Sequence, residues 1–118
     1  LIAAGVLVPE GNVEQLVLET GPAFAAELLF TFALAYVILN VATSETTEGN
    51  GFYGAAIALV VLAGALSVGS ISGGSFNPAV TVSMIASGVL SVEDSWIHFI
   101  PQLVGGGLAA LVFKAQRV

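Results

Sequence analysis

The sequence predicts an all-α membrane protein with three membrane-spanning helices and one re-entrant half-helix. Three observations lead there. The 118 residues are 57% hydrophobic and 8% charged, with a mean hydropathy of +1.01, which is too apolar for a soluble domain. Three apolar stretches approach the ~20 residues that cross a bilayer. Finally, a Gly/Ser segment with a helix-starting Asn-Pro pair breaks the apolar region where lipid is expected.

The formal net charge of −6 comes mainly from Asp and Glu in the connecting segments, so nucleic acid is not an expected partner. The absence of cysteine excludes disulfides and thiolate metal sites. One histidine and no carboxylate pair on a shared surface argue against an enzyme, and no metal or cofactor is expected. The chain opens without an initiator Met or a cleavable signal pattern and reads as a piece of something longer.

In chain order, residues 1–8 form an apolar tail too short to span, the end of a preceding helix, closed by the turn cluster Pro9-Glu10-Gly11-Asn12. Residues 13–20 mix Glu14, Gln15 and Glu19 with Val and Leu, which suits a short interfacial segment or a solvated connection. Gly21-Pro22 opens the first span, 23–43, with the single carboxylate Glu27. A carboxylate at membrane depth is costly unless donors surround it, so Glu27 is expected to face the interior and collect N–H or hydroxyl donors. The competing reading has it reaching the headgroups from near the helix start. Thr31 lies one turn on along the same face, and Asn40 is expected as a polar contact between helices.

Ser44 to Asn50 is a polar loop, and the second span, 51–68, is rich in small residues. Gly54 and Ala58 have the small-xxx-small spacing that lets helix backbones approach in lipid. The break follows at Ser72-Gly73-Gly74-Ser75-Phe76-Asn77-Pro78-Ala79-Val80-Thr81. Asn77 is a good N-cap and Pro78 suits the first helical position. The helix from Pro78 runs to about Ser87, residues 78–87, where Gly88 stops it. Ten residues make about 15 Å, or about half a bilayer core. Irregular backbone at that depth is tolerated only when buried in protein or lining a watery cavity, so a half-helix with its N-terminus facing a pore is expected.

Ser91 to Ser95 reads as a helix entry with acidic residues near the N-terminal dipole, and Trp96 as an interfacial anchor. The third span, 97–113, is expected to be short and interrupted by Pro101 and Gly105-Gly106-Gly107, a run that lets it tilt or pack closely. His98 is placed at the membrane edge as an interfacial polar contact. Lys114 and Arg117, the chain's two cations, follow the last span and orient the C-terminus to the cytoplasm, which puts the half-helix on the outer side.

Together these motifs resemble the aquaporin, or major intrinsic protein, family. The residues that carry the resemblance are Ala26-Glu27 with Thr31-Phe32, Ser72-Gly73 leading into Asn77-Pro78-Ala79, and Pro101-Gln102-Leu103-Val104-Gly105-Gly106. The likeness covers nearly all of residues 1–118 and is to the C-terminal half of such proteins. It implies one aquaporin-type repeat of three transmembrane helices plus a re-entrant half-helix. The rest of the pore would come from a missing N-terminal repeat or a second, inverted copy. It further implies a homotetramer of the full-length protein embedded in the lipid bilayer.

On this reading the function is a passive channel for water and small neutral solutes such as glycerol, urea or ammonia, excluding protons and ions. The Asn77 side-chain oxygen caps the half-helix, leaving its amide hydrogens for passing water. The carbonyls of Gly73, Gly74 and Ser75 offer acceptors along the same path. The positive helix end opposes cations, a barrier already recognised for this type of pore. Resemblance places the selectivity filter at Ala65, Gly74 and Val80, with Val80 where strict water channels commonly carry Arg and Ala65 where they often carry His. Two other classes stay open: an ion- or proton-coupled small-solute transporter using Glu27, and a non-transporting structural membrane subunit.

Overall fold

The computed structural model describes residues 14–116. After residues 14–19, which hold no regular secondary structure, α1 spans Thr20–Ala42, a 3-10 turn Glu45–Thr47, α2 Tyr53–Ser72, α3 Pro78–Ala86 and α4 Trp96–Gln116. The described residues hold no strand. Three of these helices, α1, α2 and α4, are long and apolar enough to cross a membrane. The tail 1–8, the turn cluster 9–12, Val13 and Arg117 lie outside the described residues.

Helix α1 packs against both α2 and α4. Phe24 near its start lies 6.4 Å, ring to ring, from Trp96 at the start of α4. Tyr36 near its end donates to Gln116 Oε1, and Gln116 Nε2 donates to Asn40 Oδ1 at 2.7 Å. Helices α1 and α4 therefore run parallel, and Asn40 makes the interhelical contact its sequence position suggested. The end of α2 returns to the start of α1, since Ser72 Oγ donates to Glu27 at 2.6 Å.

The short α3 begins level with the middle of α1: Asn77 and Pro78 share a groove with Thr31, Leu34 and Ala35. It ends back at the level of the α1 start, where the Leu16 amide donates to the Val89 carbonyl at 2.7 Å. Gly88, at φ +83°, reverses the chain after α3, and the Val89 amide donates back to the Met84 carbonyl at 2.9 Å.

Several element ends differ from the sequence expectation. Helix α1 starts three residues before the expected 23, because Pro22 falls in the first turn, where a backbone N–H has no intrahelical partner to lose. Helix α2 extends past 68 to Ser72 and stops at Gly73, whose φ of +86° is left-handed. Helix α4 is continuous from Trp96 to Gln116 and is not interrupted by Pro101 or the three glycines. Pro101 gives up one bond to the Ile97 carbonyl, and packing against α1 outweighs that loss.

The close approach of helices falls elsewhere than at Gly54 and Ala58. An added Cβ at Gly54 would meet nothing within 4 Å. At Gly105 it would come 2.7 Å from the Leu28 carbonyl and 3.1 Å from the Phe32 amide, both backbone atoms of α1. The Gly105→Ala variant is accordingly expected to push α4 off α1 and destabilise the protein by about 1–3 kcal/mol. Thermal unfolding in detergent reads this, and an unchanged midpoint would contradict the packing.

Candidate functional site

The residues from Ser72 to Thr81 cross from α2 to α3 without regular structure until Pro78. Gly73 and Gly74 sit at φ +86° and +69°, and Phe76 at +60°. Two glycines take this conformation freely, but a phenylalanine there stores roughly 1–3 kcal/mol of strain. Three contacts hold Phe76. Its N–H donates to Glu27 Oε1 at 2.8 Å, its ring packs 5.4 Å from that of Phe30, and the bare Cα of Gly64 leaves room for it. A Cβ at Gly64 would overlap the Phe76 ring at 2.5 Å.

Glu27 is 0% exposed and saturated with donors. Oε2 accepts from Ser72 Oγ at 2.6 Å and the Ser75 amide at 3.3 Å. Oε1 accepts from the Phe76 amide at 2.8 Å and Gln102 Nε2 at 2.8 Å. The carboxylate thus lies inside the protein, against the turn before α3, and does not extend to headgroups. Buried at this depth, each of those amides would otherwise lack a partner.

Asn77 has extended backbone at φ −160°, and its Oδ1 accepts from the Ala79 amide at 2.7 Å and the Val80 amide at 3.3 Å. This satisfies two of the helix-start donors, and Pro78 has none to satisfy. Asn77 Nδ2 donates to none of the described residues, and the carbonyls of Gly73, Gly74 and Ser75 accept from none of them. The side chain therefore presents free donors, and the turn before it free acceptors, beside the positive end of α3.

Of the proposed filter residues, Gly74 and Ala65 adjoin, with the Ala65 Cα 3.5 Å from where a Cβ on Gly74 would sit. Val80 is 40% exposed, projecting from the first turn of α3, so it is not consumed in packing. Thr31 lines the groove beside Asn77 with Gln102. Both are more than nine-tenths buried, and Thr31 Oγ1 and Gln102 Oε1 have no hydrogen-bond partner among the described residues.

Sequence reasoning missed two members of the buried cluster. His98, expected at the membrane edge, is 0% exposed and faces the turn, because its two ring nitrogens find partners there in the Ser72 carbonyl and the Thr81 hydroxyl. Gln102, quoted only as part of a motif, bonds Glu27, Ser75 and Thr81 through Nε2 at 2.8, 3.2 and 2.8 Å. Their spacing of four residues on one helix was the available signal, since it puts both on the face that meets Glu27.

The comparisons with known proteins agree with this geometry. The family described as Major intrinsic protein matches residues 7–113. Aquaporin Z of Photorhabdus laumondii subsp. laumondii is 43% identical over 95 residues, 75% of this chain and 40% of that protein. Aquaporin TIP2-1 of Arabidopsis thaliana is 34% identical over 114 residues, 95% of this chain and 40% of that protein. Glycerol uptake facilitator protein-like 6 of Lactiplantibacillus plantarum is 36% identical over 93 residues, 78% of this chain and 42% of that protein. The chain thus spans about 40% of the length of these relatives. No solved structure gives a significant match. With the family model matching residues 7–113 and relatives of 34–43% identity, this chain belongs to the major intrinsic protein family.

Proposed function

We propose that this chain forms part of a passive transmembrane channel for water and small neutral solutes. The observation that carries the reading is Asn77, which caps the half-helix with its oxygen while Nδ2 stays free at the level of the α1 midpoint. Water arriving there exchanges bulk hydrogen bonds for the Asn77 amide and the carbonyls of Gly73, Gly74 and Ser75. The positive end of α3 opposes cations at the same point. The rest of the pore wall comes from a second repeat or an inverted second copy, in a tetramer whose C-termini are cytoplasmic.

The saturated carboxylate supports passive flow over coupled transport. Glu27 accepts four donors and is wholly buried, so it has no face toward a moving solute. A structural subunit needs no free amide at a helix start in mid-membrane.

Solute selectivity is assigned to Ala65, Gly74 and Val80, whose small apolar side chains leave a wide constriction with few donors. The names of the relatives, a glycerol uptake facilitator among them, are compatible with that range. The test is Val80→Arg in proteoliposomes. A guanidinium projecting from the exposed Val80 position narrows the path, and a barrier of about 1.4 kcal/mol against glycerol lowers the ratio of glycerol to water flux about tenfold. Stopped-flow light scattering measures both fluxes, and an unaltered ratio would remove Val80 from the filter.

A further inference from the structure

Behind the half-helix lies a buried polar side chain that the proposed conduction path does not use. His98, the third residue of α4, is 0% exposed. Its Nε2 is 2.7 Å from the Ser72 carbonyl and its Nδ1 is 3.3 Å from Thr81 Oγ1. A carbonyl only accepts, so a ring with a single N–H carries it on Nε2 and leaves Nδ1 as an acceptor.

That tautomer sets the direction of the neighbouring bonds. The Thr81 hydroxyl donates to Nδ1, and its oxygen then accepts from Gln102 Nε2 at 2.8 Å; the Ser75 hydroxyl, 2.6 Å from Thr81 Oγ1 and 3.0 Å from the Asn77 carbonyl, shares its one proton between them. The chain from Ser75 through Thr81 and His98 to Ser72 joins the turn, the first turns of α3 and the last residue of α2, all held from α4. Between Ser72 and Ser75 the backbone is two glycines at positive φ, which have no side chains to keep their conformation. The separation of the two ends of this turn is therefore set by the side chains bracketing it, and His98 hydrogen-bonds to both the α2 end and α3.

We propose that His98 is a positioning residue for the conduction path. By bonding the Ser72 carbonyl and the Thr81 hydroxyl at once, it holds the start of α3, and with it the Asn77 amide, at a fixed distance from the end of α2. An apolar ring of similar size fills the same space but leaves the Ser72 carbonyl without its donor, where water is scarce, and unties Thr81 from α4's first turn. The proposal depends on the channel reading above.

The test compares full chains carrying His98→Phe and His98→Gln with wild type in proteoliposomes, as water flux per reconstituted channel. His98→Phe lowers it about fivefold, and His98→Gln, whose amide N–H reaches the Ser72 carbonyl while its oxygen accepts from Thr81, recovers it to within about twofold. If His98→Phe does not fold, the bond is broken from its other end: Thr81→Val, which also removes the bonds to Gln102 and Ser75, loses at least as much flux, and Thr81→Ser, which keeps the hydroxyl, retains it. A His98→Phe channel conducting like wild type, or a His98→Gln channel no better than His98→Phe, overturns the positioning role alone. Wild-type vesicles no more permeable than empty liposomes overturn the channel reading and this proposal with it.

Discussion

Glu27→Ala is expected to destabilise the protein by at least about 3 kcal/mol and to abolish flux. The substitution strands three buried donors with no other acceptor: the Ser72 hydroxyl and the Ser75 and Phe76 amides. Each costs roughly 1–3 kcal/mol when left unpaired. The fourth donor, Gln102 Nε2, keeps its bonds to Ser75 and Thr81. The loss does not stop at stability. Phe76 is held at φ +60° partly by its bond to Glu27, and release of that strain lets the turn relax away from Asn77. Glu27→Gln is milder, because one oxygen still accepts from Phe76 and Gln102 while the new amide faces the Ser75 N–H. Thermal unfolding in detergent, with size-exclusion to confirm assembly, ranks the variants as wild type, Gln, Ala. An alanine variant as stable as wild type would mean that Glu27 does not hold the turn.

The second large effect separates the two roles of Asn77. Asn77→Ser keeps a side-chain oxygen for the Ala79 and Val80 amides, and serine caps helices about as well as asparagine. Stability therefore changes little. The free Nδ2 donors disappear, however, and one hydrogen bond missing where water passes Asn77 in the proposed channel raises the barrier by about 1.4 kcal/mol, a tenfold drop in flux per channel. Asn77→Ala loses the cap as well and costs about 1 kcal/mol of stability. Osmotic swelling together with melting curves resolves the pair. Serine and wild-type channels with equal flux would show that passing water does not use the amide.

The two experiments address different parts of one arrangement. Glu27, Ser72, Gln102 and His98 form a polar support buried between α1, α2, α3 and α4, whereas Asn77 and the carbonyls before it are the surface that the proposed channel would offer to water. Damage to the support lowers stability and flux together, and damage to the surface lowers flux alone. His98→Phe falls between them, because the ring's volume is kept and only its two hydrogen bonds are lost.

The amino-acid sequence by itself determined the class of fold, the three long helices and the half-helix, because these follow from local chemistry. Apolar runs of bilayer length, an Asn-Pro start and the Gly88 stop each act within a few residues of where they stand. The cap on Asn77 was legible for the same reason, and so was the need of Glu27 for donors. Which donors answered Glu27 was settled only by the tertiary structure, since Phe76 and Gln102 lie 49 and 75 residues away along the chain. Tertiary packing also kept α4 continuous through Pro101, selected Gly105 from the glycine run for the close contact with α1, and turned His98 from the membrane edge into the interior. Propensity and spacing describe one segment at a time, whereas these outcomes depend on which faces of two helices meet.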